Sequence, residues 1–154
     1  MKFIQFIHPV VMLGFFYFLY LQRNLGRRIL VIKDKSPDFK HRGSLIEVHR
    51  GYGYALTAIA LIGLLAGIFV TTSILGATSP FLQTYGHGLF GSLILACIVT
   101  SLVLGLFIKH VKKPKIRDRF FEFHSNMVYI IAIFGLLSLL TGAIVLGWGL
   151  GATS

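Results

Sequence analysis

Six histidines occur in this 154-residue chain, and four of them share a spacing. His8, His49, His87 and His124 are each followed eighteen residues later by a glycine: Gly26, Gly67, Gly105 and Gly142. An α-helix turns about 100° per residue, so eighteen residues close roughly five full turns. Each histidine then shares a helix face with its glycine, about 27 Å away along the axis. That is close to the roughly 30 Å hydrocarbon thickness of a bilayer. Imidazole is a metal ligand as well as a proton carrier, and glycine leaves a helix face bare. The pairing reads as a ligand at one membrane face and, near the other face, a gap for a flat cofactor.

Composition supplies the membrane. Hydrophobic residues make up 55% of the chain and charged residues 13%, with mean hydropathy +0.79. A soluble domain carries about 25% charged residues. No Asp, Glu, Lys or Arg occurs from Gly51 to Ile108, a run too long for a soluble core. The expected architecture is an all-α, integral membrane four-helix bundle forming one domain over residues 1–154. The helices are expected at about 3–26, 44–75, 82–110 and 118–147, joined by basic loops at 27–43 and 111–117. Pro9 falls in the first turn of the first helix, where proline is tolerated. Ser44 and Glu47 form an S-x-x-E capping-box pattern. Gly76 to Pro80 reads as a short turn, after which the third helix starts near Phe81 or Thr84. Pro114 ends that helix, and Asp118 reads as the N-cap of the fourth. Trp148 suits an interfacial aromatic belt. The single cysteine, Cys97, rules out an internal disulfide and reads as packing. The N-terminal apolar run has no small-residue cleavage site, so it reads as a span and not a cleavable signal.

Charge orients the spans. Fourteen of the 15 Lys and Arg residues lie in Arg23–Arg50 and Lys109–Arg119, and only Lys2 lies at the other face. The positive-inside rule puts the two basic loops in the cytoplasm, or in the stroma of a plastid, and both termini on the opposite side. The formal net charge of +10 is therefore a topology signal. It flanks apolar spans, which excludes nucleic acid and favours anionic lipid or an acidic electron-transfer partner.

Topology then sorts the histidines. His8 and His87 open the first and third helices at the non-cytoplasmic face, while His49 and His124 open the second and fourth at the cytoplasmic face. Polar groups in a membrane need a partner. Two histidine pairs at two faces are what two six-coordinate haems b require, one imidazole above and one below each porphyrin. No CxxCH occurs, so covalent attachment is excluded. Diagonal helices would clasp each group, as ligands project inward from facing helices of a bundle. Gly67 and Gly142 would lie level with the His8/His87 haem, and Gly26 and Gly105 level with the His49/His124 haem. The haem levels are expected roughly 20–25 Å apart. His41 and His110 read as solvated or as propionate partners, with His110 the rival cytoplasmic ligand. Arg42, Arg50, Lys115 and Arg119 lie where propionates would be, although plain positive-inside anchoring weighs more. Glu47, Glu122 and the tyrosines Tyr52, Tyr54, Tyr85 and Tyr129 serve equally as helix-end or belt residues and as neighbours of a haem or quinone.

A weak internal repeat supports the pairing. At an offset of 75, Glu47, His49, Tyr54, Leu61, Leu64, Leu65, Gly67 and Val70 match Glu122, His124, Tyr129, Leu136, Leu139, Leu140, Gly142 and Val145. At an offset of 79, His8 and Gly26 match His87 and Gly105. A duplicated two-helix hairpin follows, its halves related about an axis along the membrane normal. The four-helix pattern, with ligands on helices 1 and 3 and on helices 2 and 4, resembles the core of the cytochrome b561-type transmembrane dihaem proteins. In detail it looks closer to a membrane family of unknown function from cyanobacteria and chloroplasts. That likeness rests on His8-Pro9, the basic loop into Gly43-Ser44 and His49, then His87, His124 with Asn126, and Thr141-Gly142. The resemblance implies bis-histidine haem b at His8/His87 and at His49/His124, with transmembrane electron transfer. The sequence reads without the two extra flanking helices of animal and plant b561 proteins and shows no clear ascorbate site.

The expected function is a dihaem cytochrome b in a plasma or thylakoid membrane, passing electrons between a quinol or other reductant and an acceptor such as a soluble redox protein. A homodimer or larger complex is compatible with so little extramembrane mass. Two rivals remain: a non-catalytic scaffold or assembly factor, whose histidines only join helices, and a metal-ion transporter. The transporter reading conflicts with an apolar midplane, where transporters place their sites.

Overall fold

The computed structural model describes residues 4–32, 37–74, 76, 78 and 83–151; of 4–6, 74 and 148–151 the backbone alone is described. Four long helices account for almost all of it: α1 (Ile4–Val31), α2 (Arg42–Phe69), α3 (His87–Ile108) and α4 (Pro114–Gly151). A 3₁₀ turn, Pro37–His41, leads into α2, and a π turn, Val70–Ile74, follows it. Among the described residues, three segments are long and apolar enough to cross a membrane: Pro37–Ser73, His87–Ile108 and Pro114–Gly147. The 22 residues of α3 rise about 33 Å, a bilayer's apolar thickness.

Several helix ends differ from the sequence expectation. α1 runs on through Arg27 and Arg28 to Val31, because Gly26 costs a helix only about 1 kcal/mol and no proline intervenes. α2 begins at Arg42, with His41 as an N-cap that makes no side-chain bond. Ser44 lies inside the first turn and its hydroxyl donates to the His41 carbonyl at 2.8 Å, so S-x-x-E is not a capping box here. α3 starts at His87 because Tyr85 (φ 52°) and Gly86 (φ 82°) are left-handed, which a right-handed helix cannot pass through. α4 starts at Pro114 and not at Asp118. Proline suits the first helical position, since its missing N–H would have had no partner there. Most of the expected Gly76–Pro80 turn, and the ring of Trp148, lie outside the described residues.

Helix α1 packs on α2, α2 on α3, and α3 on α4. The buried core is Phe15, Leu56, Ala60, Ile94, Ile98, Met127 and Ile131, with Cys97 packed against it. Four of these, Phe15, Leu56, Ile94 and Ile131, lie seven residues after His8, His49, His87 and His124. Seven residues make almost two turns, so one face of each helix carries a histidine and then the core. In lipid there is no hydrophobic gain from helix association, so close packing at small residues has to hold the helices. Gly63 faces the Met12 sulfur, and Gly135 faces the Phe16 ring, bringing α4 onto α1.

The surroundings of the α1 and α4 glycines rank substitutions. A Cβ at Gly135 would lie 2.5 Å from Phe16 Cε1, whereas one at Gly14 meets nothing within 4 Å. Gly135→Ala should destabilise the detergent-solubilised protein by about 1–3 kcal/mol through overpacking. Gly14→Ala should be neutral or stabilising by up to about 1 kcal/mol from helix propensity. Thermal melts of the two variants check the ranking.

Candidate functional site

The four spaced histidines meet as two pairs. The His8 and His87 ring centroids are 5.9 Å apart with planes at 85°. Those of His49 and His124 are 6.1 Å apart with planes at 71°. All four rings are partly buried, while His41 and His110 are exposed. Each pair joins helices that are not neighbours along the chain: α1 with α3, and α2 with α4.

Each glycine of the pattern faces one of these rings. A Cβ on Gly67 would lie 3.5 Å from His8 Cε1, and one on Gly26 would lie 3.2 Å from His49 Cε1. In the second hairpin the distances are 2.9 Å from Gly142 to His87 and 3.2 Å from Gly105 to His124. Within each hairpin the contact is reciprocal: the histidine of either helix rests on the glycine of the other. The bare helix face therefore accommodates the imidazole itself, at the level where the sequence suggested a flat group would lie.

Close approach to a glycine lets the ring reach backbone. Nδ1 of His87 donates to the Ser138 carbonyl at 2.9 Å, and Nδ1 of His124 donates to the Ser101 carbonyl at 2.8 Å. The serine hydroxyls lie 3.3 and 3.1 Å from the same nitrogens. A carbonyl can only accept, so the proton is on Nδ1 and the Nε2 lone pair is left free. That is the tautomer in which an imidazole can ligate a metal through Nε2 while a carbonyl holds its other nitrogen. Both serines stand four residues before the glycine that faces the same ring, Ser101 before Gly105 and Ser138 before Gly142. Their signal in the sequence is an S-x-x-x-G that occurs in both helices of the second hairpin, and the histidine spacing alone did not bring it out.

The ring separations are close to those of two imidazoles sharing one metal ion. Two imidazoles on one metal, each bonded through a ring nitrogen at about 2.0–2.1 Å, place their centroids roughly 6.3 Å apart. The observed 5.9 and 6.1 Å are close to that. Around His8 and His87 lies a largely apolar cavity of about 310 Å³, to which Gly67, Thr71, Ser138 and Gly142 also contribute. Among the described residues no group of three or more His, Cys, Asp or Glu side chains could hold a metal ion. Two imidazoles are too few for a closed structural site, which uses four protein ligands. They suffice where a macrocycle supplies the equatorial nitrogens.

The remaining candidates lie at the basic end. Arg50 is half-buried and Arg119 exposed, as are Glu47 and Glu122. Arg23 stacks over the Tyr129 ring at 5.8 Å, tying α1 to α4 there. No family model, no curated protein and no solved structure matches the chain.

The glycine contacts differ enough to be tested. Gly142→Ala would put a methyl 2.9 Å from His87 Cε1, while Gly67→Ala leaves 3.5 Å to His8. The first should push His87 off the Ser138 carbonyl, and the second should leave His8 in place. Imidazole ¹⁵N spectra of histidine-labelled protein check this: a shifted His87 Nδ1 line is expected only in Gly142→Ala.

Proposed function

We propose that this chain is a four-helix transmembrane cytochrome b with two haems, built from a duplicated hairpin, that carries electrons across the membrane. The observation that supports it most strongly is the meeting of four histidines as two ring pairs at axial-ligand separation, at opposite ends of the helices. In this reading α1 is a span like the other three. Haem b, when bound, supplies reversible one-electron chemistry at each end.

The chain's own residues then have defined roles. His8 and His87 hold one haem at the end bearing the termini; His49 and His124 hold the other at the basic end. Gly26, Gly67, Gly105 and Gly142 let the rings seat against neighbouring helices. Ser101 and Ser138 keep Nε2 of His124 and His87 free. Phe15, Leu56, Ile94 and Ile131 fill the space between the pairs and exclude water from it. Arg50 and Arg119 are placed for propionates at the basic end, where the positive-inside rule sets the cytoplasm or stroma. The membrane is a plasma or thylakoid membrane, and the electron partners are a quinol or small reductant and a soluble acceptor.

The test is a pyridine haemochrome assay with a reduced-minus-oxidised spectrum on purified protein made with ample haem. Two haems b per chain are expected. His49→Ala and His8→Ala should each lower the content to one. A wild-type chain without haem would overturn the reading and leave the histidines as helix-joining groups of a scaffold.

A further inference from the structure

Two buried polar atoms of α1 and α2 have no hydrogen-bond partner: Gln22 Oε1 and His49 Nδ1. They belong to residues already joined, because Gln22 Nε2 donates to the His49 carbonyl at 2.8 Å. Leaving a buried polar group unpaired costs about 1–3 kcal/mol, more so where no water can enter. One atom can only accept, and the other donates when the ring carries its proton on Nδ1. The two gaps are chemically complementary.

The internal register gives this pair a counterpart. The offset of 79 that lays His8 on His87 and Gly26 on Gly105 also lays Gln22 on Ser101. Ser101 offers His124 Nδ1 both its carbonyl, at 2.8 Å, and its hydroxyl, at 3.1 Å. His49 rests on Gly26 as His124 rests on Gly105, each with a Cβ of the glycine 3.2 Å from the ring Cε1, but its Nδ1 has no hydrogen-bond partner. Gln22 and Gly26 therefore stand to His49 as Ser101 and Gly105 stand to His124. Gly53 faces the same amide, and a Cβ there would lie in ordinary contact, 3.7 Å from Gln22 Nε2.

We propose that Gln22 is the positioning residue of His49, with its side-chain oxygen accepting the ring Nδ1–H while its amide nitrogen holds the His49 backbone carbonyl. The inference rests on the haem reading, which makes His49 an axial ligand. It goes further by giving the His49 ring an acceptor that differs from serine. An acceptor on Nδ1 raises the basicity of a ligating imidazole, and second-shell hydrogen bonding is one of the levers on a haem potential. The His49/His124 haem would thus have amide oxygen behind one ligand and serine behind the other.

Gln22→Met keeps length and removes the amide. Gln22→Ser installs the residue found at the matching position of α3. Spectroelectrochemical titration and low-temperature EPR of the haem-loaded chain provide the readout. Gln22→Met should raise the midpoint of one haem and shift its EPR g values, leave the other haem unmoved, and Gln22→Ser should return both toward wild type. Unmoved values in Gln22→Met, equal shifts of both haems, or no return with serine would overturn the proposal. Histidine ¹⁵N spectra of the haem-free chain separate this from a failure of the haem reading. There, Gln22→Met should shift the His49 Nδ1 line alone whether or not the protein takes up haem. An unshifted line would overturn the proposal on its own.

Discussion

An imidazole seated against a glycine fixes the rest of this molecule, and in α3 and α4 its Nδ1–H rests on a helix carbonyl. Backbone and side-chain polar groups inside a bilayer have no water to turn to, so each ring N–H has to find an acceptor within the protein. The helix carbonyl four residues before the glycine still has a lone pair to offer. A ring reaches it only where no Cβ stands in the way. That requirement sets the separation of α3 and α4 at both ends at once, through His87 on Gly142 and His124 on Gly105. The same reciprocal contacts join α1 and α2. Sliding α3 on α4 by one turn would place each ring against a larger side chain, Ser138 or Leu146 at one end and Ser101 or Lys109 at the other.

From this constraint the chemistry follows. With Nδ1 occupied, the nitrogen left over on His87 and His124 is the one that can bind a metal. The rings of α1 and α2 complete pairs across the helices at 5.9 and 6.1 Å. Between the pairs lies the packed core of Phe15, Leu56, Ile94 and Ile131, so the chain separates two histidine-bearing ends by an apolar middle.

Much of this was legible in the sequence. The eighteen-residue step from each histidine to its glycine marked the residues that meet, because it is a whole number of helical turns. The apolar runs marked four spans, of which three are long and apolar enough among the described residues to cross a membrane, and the arginine and lysine clusters marked one end. What was not legible depended on contacts between helices. Nothing local distinguishes Ser101 from Ser92 until His124 is seen beside it, and Gln22 looked like the end of a span. Helix starts were misread for a similar reason. Ser44 and Asp118 carry capping residue types, yet the 3₁₀ turn at Pro37–His41 and the proline at position 114 begin their helices earlier. Tyr85 and Gly86 delay α3 to His87 through backbone conformation, which no residue pattern in that stretch announced.

The most direct test of the account is the EPR spectrum of the oxidised, purified protein. The near-perpendicular ring planes of both pairs predict two low-spin ferric signals of the strongly anisotropic kind, integrating to two spins per chain. A high-spin signal, a single spin per chain, or no ferric signal at all from protein made with ample haem would contradict it.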